Sequence, residues 1–245
     1  MRHGGDARVH AGDIRTPLRY LVDARLKQRS LVSLITSEKT IERLSLYRRI
    51  LMRLRDDGET VVFSHQLAVP AGITPAQVRR DIMNLGCNGT PRSGYRIKEL
   101  LTGITEVFDT PQSQRAILVG IGRLGLALLA HFSGRWRWLH IHAAFDSDPA
   151  KSSGVISGCH CYPVDQLAVV VREWNIGIGI ITVPANAAQS VADQMCAAGV
   201  TGLLNFTSVR LNVPRSVFVE NVDLTASFEK VAYFARRHEA AGVTG

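Results

Sequence analysis

Residues Gly120-Ile121-Gly122-Arg123-Leu124-Gly125 set three glycines at G-x-G-x-x-G spacing between two apolar stretches. Ala116-Ile117-Leu118-Val119 precedes them and Leu126-Ala127-Leu128-Leu129 follows. Strand, tight turn and helix in that order bring backbone N–H groups and a helix N-terminus toward a pyrophosphate. Each glycine has its own task. Gly120 permits the turn, Gly122 lets the backbone approach phosphate, and Gly125 lets helix and strand pack closely.

The glycine spacing alone is a weak signal. A second apolar run, Leu139 to Phe145, strengthens it because it ends in Asp146. That carboxylate lies 21 positions after Gly125, and the acid that bonds an adenine ribose is expected about 20 residues on. An acid repels a 2′-phosphate, and the next residues are Ser147 and Asp148, so NAD(H) is expected over NADP(H). The competing reading of Asp146 is a strand-end aspartate that caps a turn.

A chain of 245 residues holds one or two domains with a sizeable core. No apolar run approaches the ~20 residues of a membrane span. No short apolar core precedes a small-residue cleavage site at the N-terminus. Four cysteines in this length make no disulfide framework, so a cytoplasmic location is expected. The net charge of +8 permits a polyanionic partner without requiring one. Half of it lies in residues 1–37, which hold seven Lys/Arg against three Asp/Glu.

The pattern divides the chain into four parts. Residues 1–37 are a basic extension, with a short amphipathic helix expected over Arg15 to Leu34; it reads as a solvated tail or as an arm on DNA phosphates. Residues 38–112 read as helix, helix, turn, helix and polar hairpin. Ile41, Leu44, Ile50, Leu51 and Leu54 recur at helical spacing, and Asp57-Gly58 ends that helix. Val61-Val62-Phe63 is a link, and Ser64 is the expected N-cap of a helix through Ala68 that turns at Pro70-Ala71-Gly72. Thr74-Pro75-Ala76-Gln77 is a capping box with proline at the first helical position. Val78, Ile82 and Leu85 then mark one buried face, leaving Arg79, Arg80 and Asn84 on others. This is the order of a winged helix-turn-helix, in which Thr74–Leu85 enters the major groove of double-stranded DNA. The competing reading is a small helical cap.

Residues 113–222 alternate strands and helices, the mark of a parallel sheet covered on both faces. Helices are expected from Pro163 to Trp174 and from Ala187 to Ala198, and strands over Ile176–Val183, Val200–Phe206 and Ser216–Val222. Residues 223–245 carry an amphipathic helix, Leu224 to His238, with Phe228, Val231, Ala232 and Phe234 on its apolar side.

Seven blocks in order make the chain resemble the Rex family of redox-sensing transcriptional repressors. They are Thr40 to Leu44 with Tyr47; Ala76 to Asp81; the glycine turn; Ala143 to Pro149; Thr182 to Ala185 with Ala187-Ala188-Gln189; Gly202 to Phe206; and Glu220 to Leu224. The resemblance covers about Lys39 to Arg237. It implies an N-terminal winged helix-turn-helix domain, a Rossmann-like parallel-sheet domain and a C-terminal helix swapped between the two subunits of a homodimer. It further implies an operator-bound dimer released when NADH replaces NAD+.

Carried over, the cofactor-binding set is Gly120, Ile121, Gly122, Arg123, Leu124, Gly125, Asp146, Thr182, Val183, Pro184 and Asn205. The DNA-binding set is Thr74, Gln77, Arg79, Arg80, Asn84 and Arg92. The dimer and switch set is His131, Asp223, Leu224 and Phe228. The family pairs an acid at the position of Asp223 with a tyrosine across the dimer, and here that position holds His131. Histidine changes charge near neutral pH, so cofactor response is expected to depend on pH. The wing departs too, with Thr90-Pro91-Arg92-Ser93 retaining one arginine.

No catalytic residue is expected. His140 and His142 alternate along one strand and so share a face, which suits packing. A small NAD(H)-dependent oxidoreductase or a CoA-binding protein with a helical cap is the alternative. Cys159-His160-Cys161 resembles a metal motif, but a strand would turn His160 away from the two thiols, and no second pair stands at zinc spacing, so no metal is expected. Cys87 reads as an oxidisable or an inert thiol.

Overall fold

The computed structural model describes residues 37–242, with side chains to 236, apart from 88, 91, 109–113 and 135–138. The expectations for residues 1–36 lie outside the described residues. The chain divides into two compact units, Met1–Thr110 and Pro111–Gly245.

The first unit runs α1 (Glu38–Asp56), β1 (Val61–Val62), α2 (Ser64–Ala71), α3 (Pro75–Asn84), β2 (Tyr95–Arg96) and α4 (Ile97–Phe108). Its core draws Leu44, Tyr47 and Leu51 from α1, Leu67 from α2, Val78 and Ile82 from α3, and Leu100 and Ile104 from α4. Strands β1 and β2 pair antiparallel, Val61 with Arg96 and Val62 with Tyr95. The turn before β2 closes on itself: Gly94 N–H donates to the Thr90 carbonyl at 2.9 Å and Ser93 N–H to Thr90 Oγ1 at 3.0 Å.

Several local expectations are corrected here. Val61-Val62 is a strand rather than a link, because Tyr95-Arg96 returns to pair with it. Ser64 is not a cap: α2 begins at Ser64, and the Phe63 N–H ahead of it donates to Gln66 Oε1 at 2.8 Å. Pro70 lies inside α2, and the turn falls at Gly72, whose φ of +62° suits a residue without Cβ. Only half of the capping box forms. Thr74 Oγ1 accepts from Gln77 N–H at 3.2 Å, while the Gln77 side chain turns to Asp81. Helix α4 was not expected; it follows the wing and packs on α1.

The second unit holds β3 (Gln114–Val119), α5 (Arg123–Phe132), β4 (Leu139–Asp146), β5 (Gly154–Ile156), β6 (Cys159–Pro163), α6 (Leu167–Glu173), β7 (Ile178–Ile181), α7 (Ala185–Ala198), β8 (Gly202–Asn205), β9 (Phe218–Asn221) and α8 (Leu224–Gly242). One seven-stranded sheet forms in the order β5-β6-β4-β3-β7-β8-β9. All its pairings are parallel except β5 with β6. The expected Pro163–Trp174 helix is shorter, because Val164–Gln166 forms a 3-10 turn first.

Two cores cover the sheet. Ile117, Val119, Ala143 and Phe145 pack with Leu167, Val171, Ala192 and Met195 of α6 and α7. Ala116, Leu118 and Ala144 pack with Leu129 of α5 and with Cys159 and Cys161. The order reverses direction at β3, so the glycine turn after β3 opens at the carboxyl ends of the strands between β4 and β7. That is the switch point where open α/β sheets take their ligands.

Candidate dinucleotide crevice and nucleic-acid face

The glycine turn is built as its spacing requires. Gly120 has φ +104°, and a Cβ there would meet the Thr182 carbonyl carbon and oxygen at 2.7 Å. A Cβ on Gly125 would collide with the Gly120 carbonyl oxygen. Gly122 differs, since a Cβ there meets nothing within 4 Å. Its lack of a side chain therefore serves open space beside the N-terminus of α5, where the first N–H groups of a helix lack intrahelical partners. A dinucleotide pyrophosphate fits that space and those donors.

Thr182 and Asp146 hold this turn from two sides. Thr182 Oγ1 lies 2.8 Å from the Gly120 carbonyl oxygen and 3.1 Å from that of Val119, with its one hydrogen shared between them. Asp146 Oδ2 accepts from Ile121 N–H at 2.7 Å, and Oδ1 accepts from Asp148 N–H at 2.9 Å. The turn-capping reading of Asp146 thus describes what this side chain does in the protein alone. Ile121 is buried, Arg123 is exposed and Leu124 is half-buried. Val183 is half-buried beside the α6–α7 core, and Pro184 is exposed as the residue that starts α7.

Asn205 corrects an expectation. It is 0% exposed. Its amide donates to the Val209 carbonyl at 2.8 Å and to Asn221 Oδ1 at 2.9 Å, and its Oδ1 accepts from Thr207 N–H and Oγ1. All its bonding capacity is used inside the fold, so it braces the loop after β8 instead of facing a ligand.

At the opposite ends of the same strands, the β3–β4 register slips between Ala116 and Ile117, leaving His142 as the extra residue of a bulge. The His142 ring meets that of Trp174 at a tilt of 46° with centroids 4.4 Å apart, and the His140 ring lies 6.0 Å from His142. Arg115 donates to the Trp174 carbonyl at 2.8 Å and lies over its ring. Burial, joined by the charges of His140, Arg115 and His160, pushes the His142 imidazole below its ordinary pKa. These histidines pack away from the crevice. Cys159 and Cys161 are buried and His160 is exposed, as the strand geometry requires, and burial pushes the Cys159 thiol up to about 12. Among the described residues no group of three or more His, Cys, Asp or Glu is placed to hold a metal.

In the first unit, α3 presents Ala76, Arg79, Arg80, Met83 and Asn84 to solvent and buries Val78, Asp81 and Ile82. Arg79 donates to Ser64 Oγ at 3.3 Å, and Arg80 donates to Gln77 Oε1 at 3.0 Å. Thr74 caps the helix, and Arg92 is exposed in the wing turn. Gln77 is half-buried and bonds Asp81 through Nε2 and Arg80 through Oε1.

Asp81 lies on the inner side of α3, where the helical period alone assigns it no role. It is 2% exposed and takes Arg43 at 2.7 and 2.8 Å, the Tyr47 hydroxyl at 3.0 Å and Gln77 Nε2 at 2.9 Å. Burial alone would raise its pKa. The bonds from Arg43, Gln77 and Tyr47 outweigh burial and hold it below the usual carboxylate range. Burial and Asp81 push the Tyr47 hydroxyl well above its ordinary value. An open concavity of about 1510 Å3 lies between the wing and α4, but its rim mixes Arg55, Arg96 and Lys98 with Glu59, Glu99 and Glu106 and so favours no one charge. Cys87 packs against Gly103, and burial together with Glu99 and Glu106 raises its thiol pKa, opposite to an activated thiolate.

On α8, Leu224, Phe228, Val231, Tyr233 and Phe234 are all exposed, Phe228 by 74%. Asp223 Oδ1 caps this helix by accepting from Ala226 N–H at 2.9 Å. His131 is exposed near the end of α5.

Fold and site together define a two-part chain: a winged helix-turn-helix unit followed by a Rossmann-like nucleotide-binding unit. Residues 36–82 match the family described as "Putative DNA-binding protein N-terminus", and residues 111–209 match "CoA binding domain". The redox-sensing transcriptional repressor Rex of Carboxydothermus hydrogenoformans is 43% identical over 200 residues, covering 82% of this chain and 96% of the relative. That of Syntrophobacter fumaroxidans is 40% identical, covering 79% and 93%. The crystal structure of RSP, a Rex-family repressor, in complex with beta-NAD+ and operator DNA is similar with a TM-score of 0.77 and 29% identity, covering 86% of this chain and 99% of that one. RSP has also been solved with beta-NADH. The chain belongs to the Rex family of redox-sensing transcriptional repressors.

Proposed function

We propose that this chain is a redox-sensing repressor that binds operator DNA as a homodimer and leaves it when NADH replaces NAD+. What carries this is that 43% identity to a named Rex repressor spans 200 residues and therefore both units. The relatives are repressors by name, and the carboxylate at the glycine turn, Asp146, is engaged by the N–H groups of Ile121 and Asp148. We therefore read the chain as a sensor without turnover. Among the described residues no helix is long and apolar enough to cross a membrane, and in this reading the protein works beside its operator DNA in the cytoplasm.

In this reading Gly120, Gly122 and the N-terminus of α5 hold the pyrophosphate, Asp146 takes the adenine ribose, and Val183 and Pro184 bound the nicotinamide side. Thr182 and Asn205 set the loops that carry those groups. Arg79, Arg80 and the wing residue Arg92 meet the duplex. The apolar side of α8 packs on the second copy, bringing Asp223 toward His131 across the dimer. Two dimer arrangements that space the α3 helices differently suffice for regulation, provided the reduced cofactor favours the one that misfits successive major grooves. A cofactor with equal affinity for both would shift nothing.

The test is retention of duplex DNA by the purified protein during titration of NADH against a fixed excess of NAD+. Release that follows the NADH fraction is expected. Unchanged retention, or oxidation of NADH by a carbonyl substrate, would favour an oxidoreductase instead.

A further inference from the structure

The outward stripe of α3 is joined to the interior by a chain of hydrogen bonds that no DNA is needed to form. Buried Asp81 is fixed by Arg43 through two bonds and by Tyr47 through a third. Its Oδ1 also takes Gln77 Nε2 at 2.9 Å. An ionised carboxylate only accepts hydrogen bonds, so the Gln77 amide must turn its NH2 inward and its oxygen outward. That oxygen takes Arg80 Nη2 at 3.0 Å. Arg79, one residue earlier, has no such link and leans on Ser64 of α2 at 3.3 Å.

We propose that Gln77 is a positioning residue for sequence readout: oriented by Asp81, its amide holds the Arg80 guanidinium in the geometry in which it meets a base, without itself touching DNA. A long arginine side chain loses rotamer freedom when it docks. A side chain already held by Gln77 loses less of it on binding. Arg80 is thereby the base-reading arginine of the pair, and Arg79, seated by a single long bond on a hydroxyl, serves the phosphates. The inference rests on the reading of α3 as the DNA-contacting helix.

The probe is the duplex that full-length wild-type protein enriches most from a random-sequence pool. Gln77→Ala is compared with Gln77→Met, which keeps the length and removes the amide, in the wild-type and Arg80→Ala backgrounds. The expected result is a three- to tenfold loss of affinity for the selected duplex. Affinity for poly(dI-dC) and the salt dependence should stay at wild-type values, because neither counts a phosphate contact from Gln77. Discrimination against single-base variants should fall at one base pair per half-site, the same one that Arg80→Ala relaxes. In the Arg80→Ala background, removing Gln77 should have no further effect on the selected duplex.

Full additivity of the two substitutions would overturn the inference, since Gln77 would then act on DNA by itself. An equal loss on selected and unselected duplexes with a lowered thermal midpoint for Gln77→Met would also overturn it, as a brace of the helix only. Wild-type protein that enriches no duplex would sink the DNA-binding reading and this inference with it. Additivity in a wild-type background that binds sinks the inference alone.

Discussion

The backbone N–H of Ile121 donates to the carboxylate of Asp146 at 2.7 Å, tying the glycine turn to the tip of the neighbouring strand. One side chain therefore braces the turn and lies where a ribose is expected. Asp146→Asn retains an oxygen for Ile121 and loses the charge; Asp146→Ala loses both. Hydrogen bonds to charged groups contribute roughly 1.5–3 kcal/mol. NADH affinity measured by calorimetry should fall about tenfold for Asn and up to about a hundredfold for Ala. Cofactor-free retention of DNA should match wild type. A folded variant that loses both functions would contradict the division of labour between the units.

Gly122 and Gly125 should respond differently to the same added methyl. At Gly125 it collides with the Gly120 carbonyl, which the turn has no means of moving without reshaping. Gly125→Ala is expected to lower the thermal midpoint and abolish NADH binding. At Gly122 the methyl enters open space and φ is −86°, ordinary for alanine. Gly122→Ala should keep the wild-type midpoint and still bind NADH at least tenfold more weakly. Equal affinities for Gly122→Ala and wild type would move the pyrophosphate elsewhere.

Removal of Arg43 leaves Asp81 buried without its cation. Breaking such a pair from one side costs about 3–5 kcal/mol, so Arg43→Met should unfold the first unit at markedly lower denaturant. Acid should act in the same direction. The Asp81 pKa is depressed by folding, so its contribution is present above the unfolded value and is lost as pH falls through the folded one. Denaturant midpoints should therefore decline below about pH 4, the ordinary carboxylate range, and Asp81→Asn should blunt that decline.

His142 carries the opposite charge bookkeeping and the same direction. Folding lowers its pKa, so the neutral ring is favoured and stability is lost as pH falls from the ordinary histidine value, about 6.5, downward. Near the ring stand His140, Arg115 and His160, all of which disfavour a further positive charge. Thermal midpoints of the second unit should drop as pH falls below about 6.5, and His142→Phe should remove most of that drop. An unchanged pH profile in His142→Phe would place the titrating group elsewhere.

The exposed side of α8 predicts an assembly phenotype. Phe228→Asp sets a charge where 74% of a phenylalanine is exposed in the single chain. Light scattering should show a dimer for wild type and a monomer for the variant. NADH binding to that monomer should weaken as well if Asp223 of the second copy completes the crevice.

What was legible in the sequence was local. The glycine turn, Thr74-Pro75 and the Val78–Ile82–Leu85 face each declare themselves within a dozen residues, and each forms as its spacing implies. Strands β1 and β2 have two residues each, too few for a period, and exist because they find each other across 33 residues. Helix α4 carries a signal, since Ile97, Leu100, Leu101, Ile104 and Phe108 recur at helical spacing, but it stands behind a glycine-rich segment that reads as a hairpin. Asp81 had one as well, an acid at the i+3 place of the buried Val78 stripe, but its partners on α1 lie 38 and 34 residues away. Asn205 enters the expected pocket lining through the family resemblance, and only the loop that folds back over it shows where its bonds go.

The sheet closes one flank with β5, three residues reversed against β6 between Gly154 and Ser157, the latter at φ +51°. So short and sharply turned a border offers little template on which another chain's backbone can zip. On this flank, association between copies is left to side chains, which can change one at a time without disturbing the ladder beneath.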